Sequence, residues 1–380
     1  MPAPSTADPL AGLDPETRAL CLAARATLDS VEAERLASVV RGGLDWDRLW
    51  ALGHLHEVVP LLGESIAAAA GDDAPVDWLA RARRRRHVTL ASNARLADAL
   101  LPILRAMAAA GIDAMPVKGL VIAEQLYGSL AARPCADLDV LVRPADLPAA
   151  REVLRGLGFG QRERPGYKAL VHQFHDPAWG RGGPTDHVRV ELHWALWADS
   201  DRRLGTAGLW DRSVEATLLD EPVRILSPKD MLLHLAIHRT RSALRLRWVA
   251  DVAELVRRHG STLDWAAFIE RAGRARGRTA SWAVLTLARD LLDAPVPPEV
   301  ERALHVAWPK RAVLARSCGR DALFRAAPDG DVTQQPHLAL RAFEEDGVAA
   351  IARGLGTSAL RPIRERLHDA GIVRVRRRMA

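Results

Sequence analysis

The spacing of apolar residues changes twice along this chain, and the two changes limit what it can fold into. Up to about residue 111 the spacing is helical, as with Leu49, Leu52 and Leu55. Between 112 and 196 short apolar segments alternate with helix-like segments, and from 226 onward helical spacing returns. Alternating strands and helices are typical of a mixed sheet. The sequence therefore predicts an α+β fold, with a small mixed β-sheet core flanked by N-terminal and C-terminal helical regions.

The same changes predict domain boundaries and the order of elements. We expect an N-terminal helical region at 1–95, an α/β core at 96–225 and a C-terminal helical domain at 226–380. One long helix should follow the loop at 71–77 and end at Gly111. The elements predicted for the core are a strand in 112–119, a helix over 120–130, a strand at 137–144, a helix over 145–157, and strands at 167–175 and 188–196.

The basic character of the chain is compatible with a polyanionic partner but does not require one. The 380 residues carry a formal charge of +6, and only four of the 53 basic residues are lysines. A solvated arginine-rich surface explains this excess as well as contact with nucleotides or RNA does. The densest basic run, "RARRRRH" at 81–87, falls on a predicted helix. It leaves the same two interpretations open, a solvated face or an RNA contact.

Cysteine usage and hydrophobicity predict a cytoplasmic protein. Cys21, Cys135 and Cys318 are far apart and show neither metal-ligand nor redox spacing. Nowhere do about eighteen apolar residues follow one another, as a membrane span requires. The amino terminus also lacks the pattern of a secretion signal. We therefore expect no membrane partner, and the sequence leaves the oligomeric state open.

Two acidic residues alternate with apolar residues in the predicted strand at 137–144. Side chains of a strand point alternately to its two faces, so Asp137 and Asp139 share one face while Leu138 and Val140 point into the core. Two carboxylates this close repel each other, and a cation between them makes the arrangement favourable. Mg²⁺ suits this position because it prefers hard oxygen ligands and often sits between carboxylates and substrate phosphates.

A third acid lies in the later strand, in "VRVELHW" at 188–194. Glu191 stands between two apolar residues, and His193 follows it on the same face. If this strand lies beside the first, Glu191 completes a three-carboxylate cluster with Asp137 and Asp139. Such a cluster can hold two metal ions, which stabilise the attacking and leaving oxygens in phosphoryl transfer. His193 would then position a phosphate or the acceptor.

The segment "PVKG" at 116–119 predicts an anion site upstream of the carboxylates. Gly119 falls where an apolar strand gives way to a helix, and the backbone N–H groups at a helix start can receive a phosphate. Lys118 adds a positive charge there. Arg133, four residues before Asp137, has two roles open to it: contact with a phosphate, or bracing of the metal-binding strand.

The order of these features resembles the polymerase-β-type nucleotidyltransferase superfamily. "VKGLVIAEQLYGSLAARPCADLDVLV" at 117–142 is similar to a branch of uncharacterised nucleotidyltransferase-like proteins. In that branch Lys-Gly precedes Asp-apolar-Asp, and an arginine stands four residues before the first aspartate. Toxin-type nucleotidyltransferases of abortive-infection systems share this layout. The specific motifs lie within 117–194, and looser similarity extends over 40–260.

The resemblance implies an enzyme together with its substrates and site residues. The reaction would be metal-dependent transfer of a nucleoside monophosphate from an NTP to an acceptor hydroxyl, with release of pyrophosphate. The catalytic and metal-binding residues implied, with Mg²⁺ or Mn²⁺ as the ion, are Asp137, Asp139 and Glu191. The nucleotide-binding residues implied or expected are Lys118, Gly119, Arg133 and His193. The acceptor stays open between RNA or tRNA, a peptide and a small molecule.

One departure from the superfamily pattern favours a different function on the same fold. The phosphate loop of the superfamily usually continues from its glycine into a second glycine or a serine, whereas Leu120 follows Gly119 here. Gly128 and Ser129 offer a substitute, or they simply end the preceding helix. A catalytically inactive nucleotide-binding or interaction protein is therefore the alternative.

A pair of histidines raises a third interpretation. His234 and His238 lie at i and i+4 on a predicted helix, and His193 and Asp251 are available as further ligands. This spacing is compatible with a zinc site. No zincin-type glutamate accompanies the pair, so structural or substrate-lining histidines are the preferred interpretation.

Overall fold

The computed structural model describes residues 9–161, 178–183, 187–196, 206–239 and 245–324. Within these ranges the protein is α+β, as predicted, with a five-stranded mixed sheet, a separate two-stranded sheet and helices on both sides in sequence. The strand predicted at 167–175 lies outside the described residues.

The N-terminal region is a set of helices packed on one another, which confirms the prediction made from the helical spacing of its apolar residues. Aspartates begin three of them: Asp14 and Asp45 each accept a backbone hydrogen bond from the first helical turn, and Asp29 forms a reciprocal cap with Glu32. The helices are α1 (Pro15–Ala23), α2 (Ser30–Arg41), α3 (Trp46–Leu55), α4 (Val59–Ala70) and α5 (Val76–Ala109).

Helix α5 connects this region to the sheet. It is the long helix predicted to end at Gly111, and it contacts the sheet through two of its strands. The buried face of its C-terminal half carries Asn93, Leu96, Leu100 and Ile103. The predicted domain boundary at 95 therefore falls inside a continuous helix, and the division into domains stays a prediction.

The main sheet combines parallel and antiparallel pairs in the order β1-β2-β5-β4-β3. Strands β2 and β5 run parallel, and the other neighbouring pairs are antiparallel. The strands are β1 (Ala114–Pro116), β2 (Leu138–Val142), β3 (Gly160–Gln161), β4 (Trp179–Arg181) and β5 (Val188–His193). Strand β2, which lies between β1 and β5, is buried along its whole length. This confirms that the strand carrying the acidic pair lies beside the strand carrying Glu191.

Between the strands the chain forms α6 (Leu120–Gln125), a short 3₁₀ turn (Pro144–Asp146) and α7 (Leu147–Gly156). Helix α6 is shorter than the predicted 120–130. Gly128 has φ of +65°, and its N–H and that of Ser129 bond to carbonyls of the last helical turn, at 2.9 and 3.2 Å. This is a helix end stabilised by a left-handed glycine. Gly128 and Ser129 therefore end a helix, the second of the two interpretations.

The C-terminal part adds a hairpin and further helices. The hairpin consists of β6 (Val214–Leu218) and β7 (Glu221–Ile225). The helices are α8 (Thr206–Asp211), α9 (Pro228–Arg239), α10 (Leu246–His259), α11 (Trp265–Arg274), α12 (Arg278–Leu292), α13 (Pro298–Ala303), α14 (Trp308–Cys318) and α15 (Arg320–Leu323). In the part of the chain that the structure describes, no helix combines the length and apolar character of a membrane span.

Candidate active site

The parallel pairing of β2 and β5 brings the predicted acidic residues together. In this register Asp139 is the direct neighbour of Glu191, and Leu141 is the neighbour of His193. Because side chains alternate along each strand, Asp139, Glu191 and His193 lie on the same face of the sheet. All three are buried, with 6%, 8% and 4% of their surface exposed. Buried acids need compensating partners, so their surroundings determine what the cluster can do.

Asp139 accepts two strong contacts at one oxygen. Lys118 Nζ lies 2.9 Å from Asp139 Oδ1, and His193 Nε2 lies 2.8 Å from the same atom. A carboxylate only accepts hydrogen bonds, so Nε2 of His193 carries the proton in this contact. The same nitrogen lies 3.7 Å from Glu191 Oε2, and Glu191 is paired with Arg189 through its other oxygen. Lys118 therefore contacts the acidic cluster directly.

The cluster keeps an excess of negative charge. Lys118 pairs with Asp139 and Arg189 pairs with Glu191, yet at Asp137 the repulsion from the two acids outweighs the attraction of these two cations. The excess is visible at the half-buried Asp137, whose pKa is raised to about 6 by burial and by repulsion from Asp139. A site with this property favours binding of an added cation.

The pKa values of Asp139 and Lys118 shift in opposite directions. Burial on its own would raise the pKa of Asp139, but Lys118 and the hydrogen bond from His193 hold it well below the ordinary value. Burial would lower the pKa of Lys118, yet the neighbouring carboxylates, Asp139 first, leave it raised. Asp139 and Lys118 are therefore both charged near neutral pH, as an ion pair.

Gly119 connects this ion pair to the aspartate segment. Its backbone is at φ +55° and ψ −111°, where a side chain is strained, and an added Cβ would lie 3.4 Å from the carbonyl oxygen of Asp137. The glycine is therefore favoured here by its backbone conformation, and it lies beside the Asp137 backbone just before helix α6 begins. Leu120, the departure from the superfamily pattern, is buried in the core.

Arg133 is held by a residue far away in the sequence. Its Nε lies 2.9 and 3.0 Å from the two carboxylate oxygens of Asp251, and Nη2 lies 2.8 Å from Oδ2. Arg133 is 3% exposed and Asp251 is completely buried. Of the two roles left open for Arg133, this geometry favours bracing of the segment before Asp137 over contact with a phosphate.

The side chains present fit a divalent cation. One ligand atom each from Asp139, Glu191 and His193 lie within 4.8 Å of one another. An ion with ligands at about 2.0–2.1 Å holds neighbouring ligand atoms roughly 3 Å apart, so small side-chain rotations suffice. This group includes His193, and the role of Asp137 as a ligand stays a prediction. Asp137 is nevertheless close enough for mutual repulsion with Asp139 and Glu191.

The histidines of the zinc interpretation are not brought together with their expected partners. His193 contacts Asp139, and Asp251 binds Arg133. The rings of His234 and His238 lie 5.7 Å apart on α9, and His238 packs edge-on against Trp248. Among the described residues, the group of three or more potential ligands is the one formed by Asp139, Glu191 and His193. The structural interpretation of the pair therefore fits the described part of the chain.

Sequence reasoning missed the roles of three residues that shape this site. Asn93 of α5 binds the backbone before Asp137, Asp251 holds Arg133, and Arg189 pairs with Glu191. The strand alternation in "VRVELHW" places Arg189 on the face of Glu191, so this contact could have been predicted. Asn93 and Asp251 lie about 40 and 118 residues from their partners, and no local pattern indicates those contacts.

Fold and site together define a mixed-sheet protein with a buried cluster of two acids and a histidine on two adjacent parallel strands. A sequence model described as "Uncharacterised nucleotidyltransferase" matches residues 42–293, about two thirds of the chain. The chain therefore belongs to this family of uncharacterised nucleotidyltransferases. A comparison with curated proteins gave no match.

Proposed function

We propose that the protein transfers a nucleoside monophosphate from an NTP to an acceptor hydroxyl with the help of a divalent metal ion. The bond that forms joins the acceptor oxygen to the α-phosphorus. The bond that breaks joins the α-phosphorus to the bridging oxygen of the β-phosphate, and pyrophosphate leaves. The hydroxyl proton passes to a nearby carboxylate, for which Glu191 is the candidate. The family supports nucleotidyl transfer in general, and these details are our proposal.

The observation that carries this proposal is the direct pairing of Asp139 with Glu191 on neighbouring parallel strands. The two acids approach each other only because β2 and β5 are adjacent and in this register. Together with Asp137 they supply hard oxygen ligands of the kind that Mg²⁺ and Mn²⁺ prefer. A bound ion would neutralise developing charge on the phosphates and lower the pKa of the acceptor hydroxyl. Catalysis would then consist mainly of positioning and electrostatics.

Lys118 and Gly119 are the proposed contacts for the triphosphate. An ion held by Asp139 would compete with Lys118 for the same carboxylate oxygen, because both are cations. Lys118, whose side chain keeps 12% of its surface exposed, would then be available to a phosphate oxygen. His193, through its contacts with Asp139 and Glu191, is proposed as a third ligand of the ion.

The acceptor is proposed to be an RNA or tRNA, with a peptide or a small molecule as alternatives. Arg83, Arg84 and His87 form an exposed basic face on α5, while Arg81 packs on Trp50 and Arg86 pairs with Glu64. Exposed cations contribute to binding phosphates of a nucleic acid. The resemblance to toxin-type nucleotidyltransferases is consistent with an RNA acceptor and stays a prediction, as does the cytoplasmic location.

Transfer can be tested with the purified protein and NTPs labelled at the α-phosphate. The protein is incubated with each NTP and Mg²⁺ or Mn²⁺, with and without total RNA, and labelled products and pyrophosphate are measured. The double variant Asp137→Ala/Asp139→Ala should abolish transfer, whereas Asp98→Ala, at an exposed position on α5, should not change it. Transfer that persists in the double variant would remove the two aspartates from the chemistry.

A second candidate is a nucleotide-binding protein without turnover. The contact between Lys118 and Asp139 favours it, because an ammonium group can neutralise the acid without a metal ion. The buried Leu120 in the phosphate loop points in the same direction. Calorimetric binding of an NTP with no pyrophosphate release, in Mg²⁺ and in Mn²⁺, would decide for this function.

A further inference from the structure

The segment 130–136, which we call the linking segment, connects α6 to the strand that carries Asp139. It forms neither helix nor strand, yet Ala131, Ala132 and Arg133 in it are buried. Backbone groups of a buried irregular segment need hydrogen-bond partners from elsewhere in the protein. The partners present show what holds this segment in place.

Asn93 supplies three of these hydrogen bonds from α5. Its Nδ2 donates to the carbonyl oxygens of Leu130 and Arg133, at 2.6 and 2.8 Å, and its Oδ1 accepts from the N–H of Cys135 at 3.2 Å. Both donors of the amide are therefore used, and the side chain is completely buried. One residue thus fixes the linking segment at three points.

Helix α10, which follows the linking segment by more than 100 residues, also holds this segment. Asp251 binds the guanidinium of Arg133 through both carboxylate oxygens and also accepts a hydrogen bond from Tyr127 at 3.0 Å. Arg247, one turn earlier, donates to the carbonyl oxygen of Pro134 at 2.9 Å. A bidentate, buried pair of this kind has a fixed geometry.

These contacts matter for Asp137 more than for Asp139. The paired register of β2 with β5 begins at Leu138, so the strand ladder fixes Asp139 but does not include Asp137. Asp137 follows Cys135 by two residues, so the position of its backbone depends on the linking segment and on its contact with the backbone of Gly119.

We propose that Asn93 and Asp251 are positioning residues, which hold the linking segment so that the Asp137 carboxylate faces Asp139 and Glu191. The proposal rests on the metal-dependent function above. Neither residue needs to touch the metal ion or the nucleotide. Residues that orient the ligands of a metal typically change affinity about tenfold to a hundredfold when they are replaced.

The test compares Asn93→Ala and Asp251→Asn with the wild type and with a matched control, Asp230→Asn. Asp230 is also completely buried and bound by arginines, but its partners are Arg212, Arg271 and Ser227, outside the linking segment. Two quantities are measured in the full chain: hydrogen–deuterium exchange of a peptide covering the linking segment, without metal, and the affinity for Mn²⁺ by electron paramagnetic resonance.

We expect exchange of the linking segment to rise about tenfold or more in both variants, as loss of roughly one buried hydrogen bond implies. We expect the affinity for Mn²⁺ to fall by about tenfold or more. The control should leave both quantities unchanged. The double variant Arg133→Gln/Asp251→Asn should be no worse than Asp251→Asn alone, because Asp251 acts through Arg133.

Three results would overturn the proposal: exchange that stays at the wild-type rate in both variants, faster exchange with unchanged Mn²⁺ affinity, or an equal loss of affinity in the control. If Asp251→Asn does not fold, Asn93→Ala decides alone, because it removes hydrogen bonds without leaving Arg133 unpaired. A wild-type protein that does not bind Mn²⁺ would refute the proposed function instead, and exchange without metal would still show whether the two residues hold the segment.

Discussion

Replacing Asp137 with asparagine should stabilise the metal-free protein at neutral and higher pH. Burial and repulsion from Asp139 raise the pKa of Asp137 from 3.8 to about 6, so the folded protein holds this carboxylate in an unfavourable charged form above that pH. Asparagine has nearly the same shape but no charge. The variant therefore removes the repulsion while it also removes a proposed metal ligand, so stability and activity should change in opposite directions.

The size of the gain in stability and its pH range follow from the raised pKa of Asp137. A rise in pKa from 3.8 to about 6 corresponds to at most roughly 3 kcal/mol. An acid whose pKa is raised on folding contributes stability below its unfolded pKa, near 4, and loses that contribution as the pH rises through about 6. The variant should therefore gain up to roughly 3 kcal/mol near pH 8 and little near pH 4.

Thermal unfolding in a chelator, followed between about pH 4 and pH 8, measures this difference. About 3 kcal/mol raises Tm by roughly 4 °C if the whole chain unfolds together, and by more if a smaller unit unfolds. Asp98→Asn, at an exposed position, serves as the control and should leave Tm unchanged. A lower Tm for Asp137→Asn near pH 8, or a gain that does not depend on pH, would refute the assignment of excess negative charge to this site.

Further predictions concern neighbouring residues. Asp139→Asn should destabilise the metal-free protein by about 3–5 kcal/mol, measured by denaturant unfolding, because it leaves Lys118 without its partner; equal stability would contradict the ion pair. His193→Gln should weaken Mn²⁺ binding in titrations, because it removes the imidazole from the group of three clustered ligand residues; an unchanged Mn²⁺ affinity would exclude it as a ligand. Gly119→Ala should cost about 1–3 kcal/mol and reduce transfer, because its backbone angles strain any side chain; wild-type stability and activity would contradict this.

Local pattern was sufficient to predict the part of the site that the strands build. Alternation of acidic and apolar residues predicted a cluster of Asp139 and Glu191 if the two strands are adjacent, and the structure pairs these residues directly. The long helix ending before Gly111 also followed from apolar spacing alone. These features repeat over a few residues, so the backbone geometry of a strand or helix determines them.

The contacts that a sequence pattern does not reveal are those between distant elements. Lys118 next to a glycine predicted a phosphate contact, whereas in the structure its ammonium binds Asp139. Asn93 reads as one polar residue among many on a helix, and its hydrogen bonds to the linking segment depend on how α5 packs on the sheet. Packing of this kind depends on tertiary structure, and no local pattern in a single sequence predicts it.

The ion pair between Arg133 and Asp251 has a consequence for folding during biosynthesis. All the carboxylates of the candidate site are translated before residue 192, but Asp251 and Arg247 leave the ribosome only with helix α10. Since chains begin to fold from the N-terminal end during synthesis, a nascent protein that has its acids but not α10 lacks the contacts that order the segment before Asp137. Maturation of the centre would therefore be delayed until α9 and α10, the first two helices after the β6–β7 hairpin, have been made.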